Sequence, residues 1–430
     1  MTAPALDLSG AFRSTRPEGL AARFPSRTVA YLLALGVLVS AALAATDWLS
    51  FPLYRDEVQF LEDTRTFAAD WPPGLEQLRN YPEPMTPLAF VIWGGVERAF
   101  GGGVVGLRLF NLGLCVAILC LIGLPGPRAG WRGPLSALGL LLCPYFLGLG
   151  VHLYTDVVAV FFAVLGLWLY ARGHMWASAC ALVLAIATRQ YMVVFPAALA
   201  AAAAYEALKG DRSRWLDAVL PYAASAATIA GWYAFFGGLS PPAGTAAWPR
   251  HADALGALHL QSGLYFLTSL GVYFVVPELL LFRRAALARF PSWRRCAWVG
   301  AAVAVAFALF PVSFGLLPGG AFSRAVRWAE LGPIEPLIYA SLAVLTAMRF
   351  ARLDLATFLV ALNFLVMLTA WTTWEKYHLP LIAALWLLSS REMFALPEPG
   401  RVHRARASSG ARGSARAESG QPRLGWLTPA

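Results

Sequence analysis

The sequence predicts an all-α polytopic membrane protein of about twelve transmembrane helices, and three observations carry that expectation. Of the 430 residues, 58 % are hydrophobic and 13 % charged, with a mean hydropathy of +0.59; this is too apolar for a soluble domain with a polar surface. The long Ala/Leu/Val runs lack the two-residue alternation of an outer-membrane barrel, so the backbone must satisfy its polar groups within helices. Most of the arginines fall between the apolar runs, where Lys and Arg mark cytoplasmic ends.

Taken in order, residues 1–27 read as a cytoplasmic N-terminal segment, too long and mixed before the first apolar run for a cleavable signal. A transmembrane domain follows over 28–394, with spans at 28–48, 104–124, 133–151, 157–171, 175–188, 191–206, 215–236, 263–282, 297–317, 333–350, 354–371 and 378–394. The pair 175–188 and 191–206 reads as two spans or one long helix; the distribution of Lys and Arg favours two. Residues 395–430, rich in Pro, Gly, Ser and Arg, read as a disordered basic cytoplasmic tail.

The first outer loop, 49–103, is by far the longest. Pro72-Pro73-Gly74 and Tyr81-Pro82-Glu83-Pro84 break it into short helices, and Thr86 to Phe100 reads as an amphipathic juxtamembrane helix with Leu88, Val91, Ile92, Val96 and Phe100 on its apolar face. The net charge of +10 comes with no compact basic domain, so the expected partner surface is membrane lipid and not nucleic acid. The five cysteines lie in or beside apolar runs without metal-ligand spacing.

Polar residues collect at the predicted outer turns. Tyr54-Arg55-Asp56-Glu57 places two acids beside the mouth of a span; they read as a helix start, where acids suit the dipole, or as a catalytic pair. His152-Leu153-Tyr154-Thr155-Asp156 brings a second carboxylate, or a cap for the next span. Arg189-Gln190 sets a cation in an apolar context, explained by snorkelling or by an anionic ligand. Lys376 and His378 follow a tryptophan-rich belt, while His251, His259 and Gln261 read as a solvated loop. The spans hold almost no acids or bases near their middles, and the polar exceptions Asn111 and Asn363 are uncharged, which disfavours an ion-coupled transporter.

Three stretches, Tyr54-Arg55-Asp56-Glu57, Leu153-Tyr154-Thr155-Asp156-Val157 and Arg189-Gln190, resemble in order and spacing the polytopic glycosyltransferases of the C-type fold (GT-C). More narrowly they resemble the α-1,2-glucosyltransferases of lipid-linked oligosaccharide synthesis, in a bacterial relative. Val58-Gln59-Phe60 and Tyr191-Met192 depart from that family's pattern. The resemblance implies an inverting hexosyltransferase, glucose favoured, moving sugar from a polyprenyl-phosphate donor to a lipid-linked glycan or other acceptor on the outer face of the plasma membrane. Asp56 and Glu57 are then catalytic, with Asp56 the general base. Arg55, Glu83, Tyr154, Asp156, Arg189, Gln190, Lys376 and His378 become substrate-binding residues. No cofactor is implied; two adjacent acids are too few ligands to argue for a divalent metal. The rival expectations are a transporter or flippase of a lipid-linked sugar, a same-fold transferase acting on protein or glycolipid, and a structural subunit.

Overall fold

The computed structural model describes residues 26–54, 56–124, 130–209, 215–247, 257–312, 320–370 and 374–394. Arg55, His251, the segment up to residue 25 and the basic tail from residue 395 lie outside them. Among the described residues every element is helical. In chain order the α-helices are α1 (Ser26–Ala45), α2 (Glu57–Ala69), α3 (Leu75–Arg79), α4 (Leu88–Phe100), α5 (Gly103–Gly123), α6 (Arg132–Leu141), α7 (Pro144–Gly150), α8 (Thr155–Ala171) and α9 (Met175–Thr188). They continue as α10 (Val194–Lys209), α11 (Trp215–Phe236), α12 (Pro242–Ala247), α13 (Leu260–Leu287), α14 (Trp293–Leu309), α15 (Ala321–Trp328), α16 (Glu335–Arg349), α17 (Leu355–Met367) and α18 (Leu379–Arg391).

Five helices are long and apolar enough to cross a bilayer: Ser26–Ala45, Gly103–Gly123, Gln190–Lys209, Leu216–Phe236 and Leu260–Leu287. The bent pair α6 and α7 makes a sixth candidate. Large apolar side chains stand exposed on these helices, among them Leu33, Val37 and Leu280. An apolar surface of that kind belongs in lipid, and the protein is membrane-embedded.

At the centre lies α18, buried along its length from Leu379 to Ser390. Its sequence is apolar all round, which suits a helix with neighbours on every side. It packs on α6 and α8, and Gly139 makes the first contact possible, because a Cβ there would overlap the Trp386 ring. Gly166 similarly lets α8 meet α9, where the Ser178 hydroxyl donates to the Gly166 carbonyl at 2.7 Å. Small residues at such crossings are how helices without a hydrophobic drive between them come close.

Three local features shape the site, the first and third of them departures from the sequence expectation and the second in line with it. The predicted continuous helix 133–151 is broken by 76°, because Cys143 precedes Pro144 and takes an extended conformation (φ −82°, ψ 112°). The chain also breaks between α9 and α10, where Arg189 is extended and a 3-10 turn covers Gln190–Val193, so 175–206 holds two helices. The helix predicted over 86–100 is present as α4, but the face it buries is Ala89, Phe90, Trp93 and Gly94, packed against α2. Of the predicted apolar face, Phe100 is exposed, while Leu88, Val91, Ile92 and Val96 are half-buried, the last three at the margin of the core.

Candidate active site

The start of α5 carries Arg108 within an apolar run, fully buried, where a lone guanidinium is costly without partners. It finds them in Glu57. Nε donates to Oε1 at 3.0 Å and Nη2 to Oε2 at 2.8 Å, while Nη1 donates to the carbonyls of Leu49 and Phe51 at 3.0 and 2.7 Å. The backbone N–H groups of Leu153 and Tyr54 donate to the same carboxylate at 2.7 and 2.9 Å, and His152 Nδ1 lies 3.1 Å away. Burial opposes the charge of Glu57, but the bonds from His152, Arg108, Leu153 and Tyr54 outweigh it and hold the carboxyl at about 2. A saturated, fully buried carboxylate has nothing left for substrate. Glu57, expected to be catalytic, is the clamp joining the 48–54 segment, α2, α5 and the His152 turn.

Asp56 differs. It holds the N-cap position of α2 yet makes no side-chain capping bond. Its Oδ2 instead accepts from Lys376 Nζ at 3.3 Å, and its side chain is 37 % exposed. The Lys376 ammonium lies 4.3 Å from the Trp374 ring centre and 4.8 Å from that of Tyr154, a cation–π setting. Burial lowers its pKa, against the pull of Asp156 and Asp56.

The His152 and Arg189 turns meet below this rim. Arg189 Nη2 donates to Asp156 Oδ2 at 2.9 Å and the Tyr191 hydroxyl to Oδ1 at 3.2 Å. Asp156 is fully buried, so it does not present a second carboxylate to solvent beside Asp56, and the charge of Arg189 is committed to it. Gln190 spends its amide on the carbonyls of Pro84 and Leu239 at 3.2 and 2.9 Å, a tie between loops. Thr86 adds another to the Ile186 carbonyl at 2.7 Å.

Glu83 is buried, and its Oε1 has no hydrogen-bond partner among the described residues. Burial and the nearby Asp63 push it up to about 8 against the pull of Arg189; Asp63 itself is pushed to about 7 by burial and Glu62. His378 is fully buried edge-on to Phe266, with both ring nitrogens unpartnered among the described residues. Burial rules out the direct substrate contact expected of it.

Beside Lys376 opens a cavity of about 510 Å³. Tyr54, Tyr145, Tyr154 and Trp374 give it aromatic walls, Lys376, Arg324 and Arg327 give it three cations, and His152 and Glu375 complete its polar lining. The bend at Pro144 brings Tyr145, Gly148 and Leu149 to one wall. Among the described residues neither Arg324 nor Arg327 has an acidic partner within ion-pair distance. Such a chamber suits a phosphate carried on an apolar tail.

Sequence reasoning did not single out Arg108, His152, Arg324, Arg327 or Glu375. The signals were a single arginine inside an apolar run at 108 and the Arg-x-x-Arg spacing at 324–327, which puts two cations on one helical face. No protein-family model, no curated protein and no solved structure matches this chain.

Proposed function

We propose that the protein is a membrane glycosyltransferase of GT-C type, with about twelve spans, that moves a hexose, glucose favoured, from a polyprenyl-phosphate donor to a lipid-linked glycan or other acceptor. The observation that carries this reading is a half-exposed carboxylate, Asp56, held by Lys376 at the edge of a cationic, aromatic-walled cavity. In this reading the donor phosphate faces Arg324, Arg327 and Lys376 while its isoprenoid chain stays in lipid. The acceptor hydroxyl attacks the anomeric carbon, its proton passes to Asp56, and the bond from that carbon to the phosphate oxygen breaks with its electron pair leaving on the phosphate. A single displacement inverts the anomeric centre. Lys376 orients the Asp56 carboxylate through its bond to Oδ2, and the cations offset the charge that grows on the leaving group. The active face is the outer one, by the distribution of Lys and Arg.

The test is transfer of label from a radiolabelled polyprenyl-phosphate hexose, in membranes holding matched amounts of wild type or Asp56→Asn. Loss of transfer in the variant supports the reading; equal activity removes Asp56 from its role. A second reading, a transporter of a lipid-linked sugar, gains one observation from the bent α6–α7 pair, since broken helices at a ligand site are a transporter feature. Movement of a fluorescent lipid-linked sugar across proteoliposomes, with no transfer product, would favour it.

A further inference from the structure

Glu375 belongs to none of the roles above, yet it is the most fully engaged acid on the cavity wall. It is 1 % exposed. Its Oε1 accepts from the Tyr265 hydroxyl and from the Ser323 N–H at 3.2 Å; its Oε2 accepts from the Tyr273 hydroxyl and from the Phe322 N–H at 3.2 Å. Two donors thus come from the long helix α13 and two from the first turn of α15. A carboxylate at that turn also faces the positive end of the helix dipole.

The helix so tethered is poorly equipped to hold itself. Eight residues are too few for a stable isolated helix, and α15 buries only Ser323 and Val326. Phe322 rests edge-on against Tyr339, and the Tyr145 hydroxyl accepts from the Ala321 N–H. Gly320 lies so close to Glu375 that a Cβ there would overlap the carboxyl group. The next residues along, Arg324 and Arg327, both line the cavity. Tether, helix and cations form one chain of contacts.

We infer that Glu375 is a positioning residue: it fixes α15 so that Arg324 and Arg327 face the phosphate of an isoprenoid lipid, and it acts through them. The inference rests on the phosphate reading of the cavity. The Glu375 carboxylate is spent on protein donors, the Tyr265 and Tyr273 hydroxyls and the Phe322 and Ser323 N–H groups, with Tyr145 also bonded to it.

The test combines hydrogen exchange of the 321–328 amides with binding of farnesyl phosphate, a sugar-free isoprenoid phosphate, to the full chain in detergent. Glu375→Ala is expected to speed exchange in α15 alone and to raise Kd about 10- to 100-fold, as Arg324→Ala/Arg327→Ala does. The triple variant should bind no more weakly than the double, and Glu375→Gln, which keeps one acceptor oxygen, should recover part of the affinity. Unchanged exchange and Kd in Glu375→Ala overturn the inference, and so does a triple variant whose loss is the full sum of the separate losses. If wild-type chain ignores farnesyl phosphate, as the double arginine variant then would, the phosphate reading falls and the inference with it. Faster α15 exchange in Glu375→Ala would then record a structural tether only.

Discussion

Glu57 and Glu278 meet the same physical problem in two regions of this chain. Each is a buried carboxylate gripped by an arginine from another helix: Arg108 for Glu57, and Arg349 for Glu278, with Nε and Nη2 at 2.8 and 3.0 Å. A thirteen-residue stretch of α13 separates Glu278 from Tyr265, which reaches the Asp56 end through Glu375; at 1.5 Å per residue that is roughly 20 Å. Around Glu278 the charges close on themselves. Arg289 adds a bond at 2.9 Å, and Phe394 lies under Arg289 and Arg349, with 3.8 and 5.0 Å from guanidinium to ring centre. Around Glu57 the pair is just as complete, but the next residue, Asp56, is half-open, and a cationic cavity begins beside it. A buried ion pair is therefore a sign of architecture; chemistry is sought where a charge stands beside an opening.

The comparison breaks first if the two clamps are unequal. Arg108→Ala and Arg349→Ala should each destabilise by about 3–5 kcal/mol, since each removes the two-bonded guanidinium partner of a buried carboxylate; thermal unfolding in detergent measures both. Asp56→Asn should leave that unfolding temperature unchanged and lower transfer about 10²–10⁴-fold. Equal loss of stability and activity in this variant would place Asp56 with the clamps.

The pH response separates the buried acids. The carboxyl of Glu57 is held at about 2 against an ordinary 4.5, so its contribution to stability is complete above 4.5 and is lost as pH falls toward 2. Glu83 runs the other way. Raised to about 8, it favours the folded chain fully below 4.5 and loses that contribution as pH rises through 8. Glu83→Gln should accordingly raise the unfolding temperature by a few degrees at pH 8.5 and change it little at pH 4. The smallest effect belongs to Glu392→Gln. Its ion pair with Arg132 is 68 % exposed on the acid side, and its loss should cost about 0–1 kcal/mol.

Much of the architecture was legible because helix formation in lipid is a local requirement. The apolar runs and the proline-broken 49–103 loop are written residue by residue, and so is the break at Arg189-Gln190, where polar residues interrupt two apolar segments. Asp56 was singled out as an acid beside an apolar run, and its side chain, 37 % exposed, meets Lys376. Its neighbour misled, because adjacency in sequence says nothing about direction. Asp56 and Glu57 stand about 100° apart around the helix that they open, so one meets Lys376 and the other Arg108. Asp156 and Arg189 were each read as facing a ligand, and they face each other.

The sequence by itself determined that the chain lives in a membrane as helices, because hydrophobicity and its period act over twenty residues at a time. It also marked where its scarce charges lie. Only the tertiary structure decided which of those charges are spent. Arg108 reaches Glu57 across 51 positions, Lys376 reaches Asp56 across 320, and Glu375 holds α15 from 52 residues away. The cost of burying a charge is settled by whichever partner the packing brings, and packing over such separations is not encoded in any local pattern.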